Sequence, residues 1–139
     1  MKRLNLILGL LIFSAFFGNV KAQSSQEILK QILELSKAKK FEQAAPLIAY
    51  DGADETKKFK VAFDAKNEDD LNSVKRICKK IKALIDISDS YEIGAQTEIE
   101  KDGINWFVTE VGFKSGNQSL KTVFSFVKVN DKFLLGDVD

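Results

Sequence analysis

The sequence predicts an α+β domain: N-terminal helices packed on a curved four-stranded antiparallel meander sheet. Three observations predict it. Apolar residues in the first half recur with a period of 3.6, and those in the second half with a period of 2. The change falls near Ser88. Beyond it, four apolar ribbons are separated only by short turn sequences, the pattern of consecutive hairpins.

The chain has 139 residues, enough for one ordinary domain. Its beginning has three parts: Lys2 and Arg3, an apolar run from Leu4 to Phe17, and the small residues Val20 and Ala22. This order predicts a signal peptide over 1–22, cleaved after Ala22, and a single domain over 23–139. The expected product is exported, periplasmic or secreted, with no transmembrane anchor in the mature form. Loss of Lys2, Arg3 and Lys21 takes the formal charge from +1 to −2. Neither value favours nucleic acid as a partner. The lone Cys78 cannot close an internal disulfide, so the core must hold by packing.

The elements follow in order. Ser25 is placed to cap a helix from about Gln26 to Lys39, with Ile28, Leu29, Ile32 and Leu35 on one stripe. Phe41 to Tyr50 reads as a short helical piece in which Pro46 marks a turn or a new start. Asp51-Gly52 reads as a turn, and alternating Phe59, Val61 and Phe63 as a short extended piece. A long helix is predicted from Glu68 to Ile87, capped by Asn67, with Glu68, Asp69 and Asp70 on its positive end. Leu71, Val74, Ile77, Cys78, Ile81, Leu84 and Ile85 share one face of it. Strands are predicted over Tyr91–Glu100, Ile104–Phe113, Leu120–Val129 and Phe133–Val138. In the first, Tyr91, Ile93, Ala95, Thr97 and Ile99 should be the inward set. The second is apolar on both faces and therefore central.

The closing segment Phe126-Val127-Lys128-Val129-Asn130-Asp131-Lys132-Phe133-Leu134-Leu135-Gly136-Asp137-Val138-Asp139 is similar to the last hairpin of the nuclear transport factor 2-like group. In that group a basic strand residue leads to a polar turn, an aromatic, aliphatic residues and an acid. Here Asp131 and Phe133 stand where its members often carry Gly and Trp. The resemblance, which overlaps the cystatin-like description, implies a cone-shaped fold with a pocket between sheet and helices. It also implies a homodimer through the exposed sheet face as a possibility. It implies no single activity, because the group hosts isomerases, dehydratases, ligand binders and exported proteins without known function.

Candidate chemistry is sparse. The chain has no histidine, which removes Ser-His-Asp and Cys-His nucleophiles and His-ligated zinc. Cys78 belongs to the apolar stripe and is expected to be inert there. The cluster Asp51, Asp54 and Glu55 lacks the spacing of a calcium loop, so no metal and no cofactor are expected. Asn117-Gln118-Ser119 matches the glycosylation triplet and is read as a chance match in a turn. Three readings of function remain. The first is an exported non-catalytic domain that binds a small apolar ligand or a protein, with Phe41, Tyr50, Phe63, Trp106 and Phe124 lining a pocket. The second is a cofactor-independent isomerase or hydro-lyase with Glu110 or Asp64 as cavity acids beside Tyr50 or Tyr91. It requires Glu110 to face inward; otherwise Glu110 meets water or a lysine such as Lys121. The third is a cell-envelope protein that meets an anionic partner through Lys75, Arg76, Lys79, Lys80 and Lys82.

Overall fold

A computed structural model describes residues 23–139. The expected signal peptide and its cleavage site lie outside the described residues. No helix among the described residues is long and apolar enough to cross a membrane. Helix α1 (Ser25–Lys37) leads into the four-residue helix α2 (Phe41–Ala44) and a 3-10 turn (Ala45–Leu47). Helix α3 (Glu68–Asp86) then precedes β1 (Ser90–Lys101), β2 (Ile104–Ser115), β3 (Gln118–Val129) and β4 (Lys132–Val138). The strands pair antiparallel in the order β1-β2-β3-β4, and the helices pack on one face of that open sheet. This is the predicted α+β fold.

Local signals fix most boundaries. Asn67 caps α3 by accepting a hydrogen bond from the Asp70 N–H. The cap of α1 is Ser24, which accepts from the Glu27 N–H, and not Ser25. Ser25 is one residue inside the helix, buried, with its hydroxyl on the Gln96 side chain of β1. Pro46 falls at the start of the 3-10 turn, where its missing N–H costs nothing. The β1–β2 turn places Asp102 and Gly103 at φ 55° and 76°, the left-handed pair that a tight hairpin requires.

The core lies between helices and sheet. Leu29, Ile32 and Leu33 of α1 and Val74, Cys78 and Ile81 of α3 meet Val111, Phe113, Phe124, Phe126 and Leu135 of the sheet. Phe124 and Phe126 are fully buried. The space expected to form a pocket is therefore occupied by side chains. Burial pushes the Cys78 thiol above its ordinary pKa. Ser36 lies against the thiol, and its buried Oγ has no hydrogen-bond partner. A desolvated hydroxyl without a partner is destabilising, and alanine favours the helix more than serine. Ser36→Ala is thus expected to raise stability by about 1 kcal/mol. The check is a higher urea midpoint at unchanged slope.

Two bulges shape the sheet, and both contain glycine. In β1, Gly94 and Ala95 together oppose Glu110, between the pairs Ile93–Val111 and Gln96–Thr109. A Cβ on Gly94 would come within 2.9 Å of the Glu110 carbonyl oxygen, so only glycine permits this approach. The bulge corrects the expected pattern of β1. Tyr91 and Ile93 share the helix side with Phe113 and Val111, but one residue is absorbed at Gly94-Ala95. Thr97 and Ile99 then pair with Val108 and Trp106 on the outer face. In β4, Gly136 is the extra residue between the pairs Ser125–Asp137 and Phe126–Leu135.

The segment 48–63 corrects a second expectation. Phe59, Val61 and Phe63 form no strand; Phe59 has φ 57° and Val61 is exposed. The chain instead wraps the β4 edge. Ile48 makes a parallel bridge to Leu135, and Ala49 an antiparallel bridge to Ala62. Phe63 joins the main core. Phe59 joins a second cluster with Trp106, Ile104, Val127 and Leu134 on the sheet face away from the helices.

Candidate functional site

The 50–61 loop is the organising element of the surface, and Tyr50 is its hub. The Tyr50 N–H donates to the Val61 carbonyl, and its own carbonyl accepts from the Phe59 N–H. Its phenol oxygen accepts from the Asp54 N–H at 3.2 Å. Its ring packs on Phe63, with centroids 5.4 Å apart. A Cβ on Gly52 would fall 2.5 Å from the same ring, so glycine lets the loop close over it. Asp54 accepts from both the hydroxyl and the N–H of Thr56, which holds its carboxyl below the usual range.

A cleft of about 790 Å³ opens between this loop and the exposed side of α3. Tyr50, Gly52 and Phe63 form one wall; Asn72, Ser73, Lys75, Arg76 and Lys79 form the other. Asp69 and Asp70 stand at the end nearest the helix start, and Asp51, paired with Lys58, lines the loop side. Asp70 is committed to the local structure, because its Oδ2 accepts from the Asp64 N–H. Arg76 donates to the Ser73 hydroxyl. Among the described residues, Lys75, Arg76 and Lys79 make no ion pair.

The predicted cationic ridge therefore divides. Lys75, Arg76 and Lys79 line the cleft. Lys80 donates to the Val138 carbonyl at 2.9 Å, which ties α3 to β4. Lys82 is paired with Asp86 one turn on. The helical period alone places all five on one broad polar side; only the neighbouring loop and strand show which have partners.

The predicted pocket aromatics are likewise separated. Tyr50 and Phe63 meet in the cleft. Phe41 lines a smaller hollow of about 260 Å³ with Leu71 and Lys75. Phe124 is sealed in the core. Trp106 is on the outer face of the sheet, in a groove of about 630 Å³ with Phe59, Ile99 and Ile104. The sequence reading missed Phe59, whose role depends on a loop crossing beneath the sheet.

The four acid–base candidates do not converge. Glu110 is exposed on the outer face, with Lys121 Nζ 3.9 Å from its Oε1. Asp64 accepts from the Lys66 N–H in the turn that enters α3. Tyr91 is partly exposed beside Phe113 at the far end of the sheet. Tyr50 serves the loop. No group of three or more Cys, Asp or Glu side chains among the described residues has metal-binding geometry.

No protein-family profile matches the chain, and no curated protein matches it. Solved structures with a related arrangement include a chain named "Rd1NTF2_05 with long sheet", at 16% identity and a TM-score of 0.46. That alignment covers 84% of this chain and 94% of the other. A chain named "Rd1NTF2_04 with long sheet" aligns at 14% identity and a TM-score of 0.44, over 83% of this chain and 97% of the other. Likeness at this level carries no inference about role; the α+β assignment stands on the strand order and helix packing above.

Proposed function

We propose that the protein is an exported, non-catalytic binding domain whose partner presents phosphate or carboxylate groups to the cleft between α3 and the 50–61 loop. One observation carries this reading: Lys75, Arg76 and Lys79 border the cleft beside Tyr50 and Phe63 with no carboxylate paired to them among the described residues. The cations supply attraction and the two rings an apolar wall, a combination suited to an anionic group on a partly apolar carrier. Export rests on the N-terminal pattern of a basic start, an apolar run and Val20-Lys21-Ala22. The cone is not needed as a pocket, because Phe124 and Phe126 already fill it.

Retention on phosphatidylglycerol-containing vesicles and on immobilised alginate separates a lipid headgroup from a polysaccharide as the source of the anion. Each basic residue near an anionic surface contributes about 1 kcal/mol. Lys75→Gln with Lys79→Gln is therefore expected to weaken retention about 30-fold, and salt to abolish it. Lys82→Gln is expected to leave retention unchanged, because that ammonium is paired with Asp86. Equal losses for the two variants, or retention indifferent to both, would sink the cleft as the site.

A further inference from the structure

The groove on the opposite side of the same loop is lined by more carboxylates than cations. Its floor crosses the sheet through Ile99 on β1, Trp106 on β2, Ser125 on β3 and Asp137 on β4. The Trp106 ring has a fixed place. It lies against Gly136, where a Cβ would approach within 2.6 Å of Cζ3, and Phe59 meets it edge-on at 5.0 Å and 79°. This is an aromatic corner held by the β4 bulge on one side and by the 50–61 loop on the other.

Charge around the corner is unbalanced. Glu55, Asp102 and Asp137 line the groove and make no ion pair among the described residues. Asp51 is matched by Lys58 at 3.4 Å. That leaves Lys101 as the one lining cation to set against three carboxylates. The chain itself already uses the corresponding chemistry at the groove wall: Lys58 Nζ sits 5.7 Å over the Phe59 ring while it contacts Asp51.

We propose that this groove receives a basic side chain, an arginine or lysine of a partner protein. Its stem lies on Trp106 and Ile104, and the carboxylates of Glu55, Asp102 and Asp137 along the groove attract its cation. An anionic ligand is repelled by those carboxylates. A neutral saccharide gains the ring contact but nothing from the excess negative charge. Arginine fits best, since its planar cation both stacks on indole and pairs with carboxylates. This site is independent of the α3 cleft, and its ligand has the opposite sign.

Trp106 is the only tryptophan, so emission excited selectively beyond the tyrosine absorption band reports on this groove and not on Tyr50 in the cleft. Hexa-arginine titrated at low ionic strength is expected to change the emission saturably. Hexaglutamate and cellohexaose are expected to leave it unchanged. Asp102→Asn with Asp137→Asn, both exposed positions, should weaken hexa-arginine binding about tenfold or more. An unchanged melting temperature in that variant shows that the fold is retained. Lys75→Gln with Lys79→Gln should bind hexa-arginine as well as the parent does. No saturable change, equal affinity after removal of the two carboxylates, or an equal response to cellohexaose would each overturn the proposal. None of these results bears on retention through the α3 cleft.

Discussion

Phe126→Ala is expected to destabilise the domain by about 3–5 kcal/mol, a large share of the roughly 5–15 kcal/mol that holds a domain together. Phe126 is fully buried at the centre of the sheet's helix side, between Phe107 on β2 and Leu135 on β4. The T-shaped pair Phe107–Phe133, at 4.9 Å, lies in the same layer and limits collapse into the vacated space. A ring removed from a surrounded position forfeits both its transfer free energy and its contacts. Urea unfolding of the variant measures the loss. The result also decides a functional point. A loss below about 1 kcal/mol would mean that the space under the helices is loosely filled, and the cone would return as a ligand site. The expected large loss leaves binding to the surface.

The parts of the fold that were legible in the sequence are those set by neighbours along the chain. Helix α3 ends at Asp86, one residue short of the expected Ile87, because Asn67, the acidic first turn and the Val74–Cys78–Ile81 stripe are all local signals. The four strands fall within one or two residues of their expected ends, because Asp102-Gly103 and Gly116-Asn117 specify tight turns. Register inside β1 was not legible. The reason is Gly94: its close approach to the Glu110 carbonyl exists only once β2 is in place. The path of the 50–61 loop was illegible for the same reason. Phe59 and Phe63 are four residues apart yet belong to clusters on opposite faces of the sheet, and no periodicity encodes that. The cleft was half legible. Its cations follow from the helix period, but Lys80 and Lys82 could be separated from Lys75, Arg76 and Lys79 only by their contacts with Val138 and Asp86.

Gly136→Ala is expected to destabilise the domain by about 1–3 kcal/mol, although it adds only a single methyl group at the β4 bulge. The methyl would lie 2.6 Å from Trp106 Cζ3 and 3.1 Å from Cη2. The indole must therefore leave its bed on β4, and the edge-on contact with Phe59 goes with it. That contact helps to hold the 50–61 loop on the outer face, so one substitution loosens the wall shared by both grooves. Gly112→Ala is the internal control. It lies on the same face of the same sheet, but there a Cβ would meet only the Ser119 hydroxyl at an ordinary 3.7 Å. With room available, alanine restricts the unfolded chain more than the folded one, and stability should rise by about 0.4–1 kcal/mol. Opposite signs for the two glycines, together with a red-shifted Trp106 emission in Gly136→Ala alone, locate the cost in the indole contact. Trp106→Leu should then remove most of the penalty of Gly136→Ala, since the two residues are coupled through one contact. If both glycine variants behave alike, β4 tolerates a side chain at its bulge, and the aromatic corner is not fixed by Gly136.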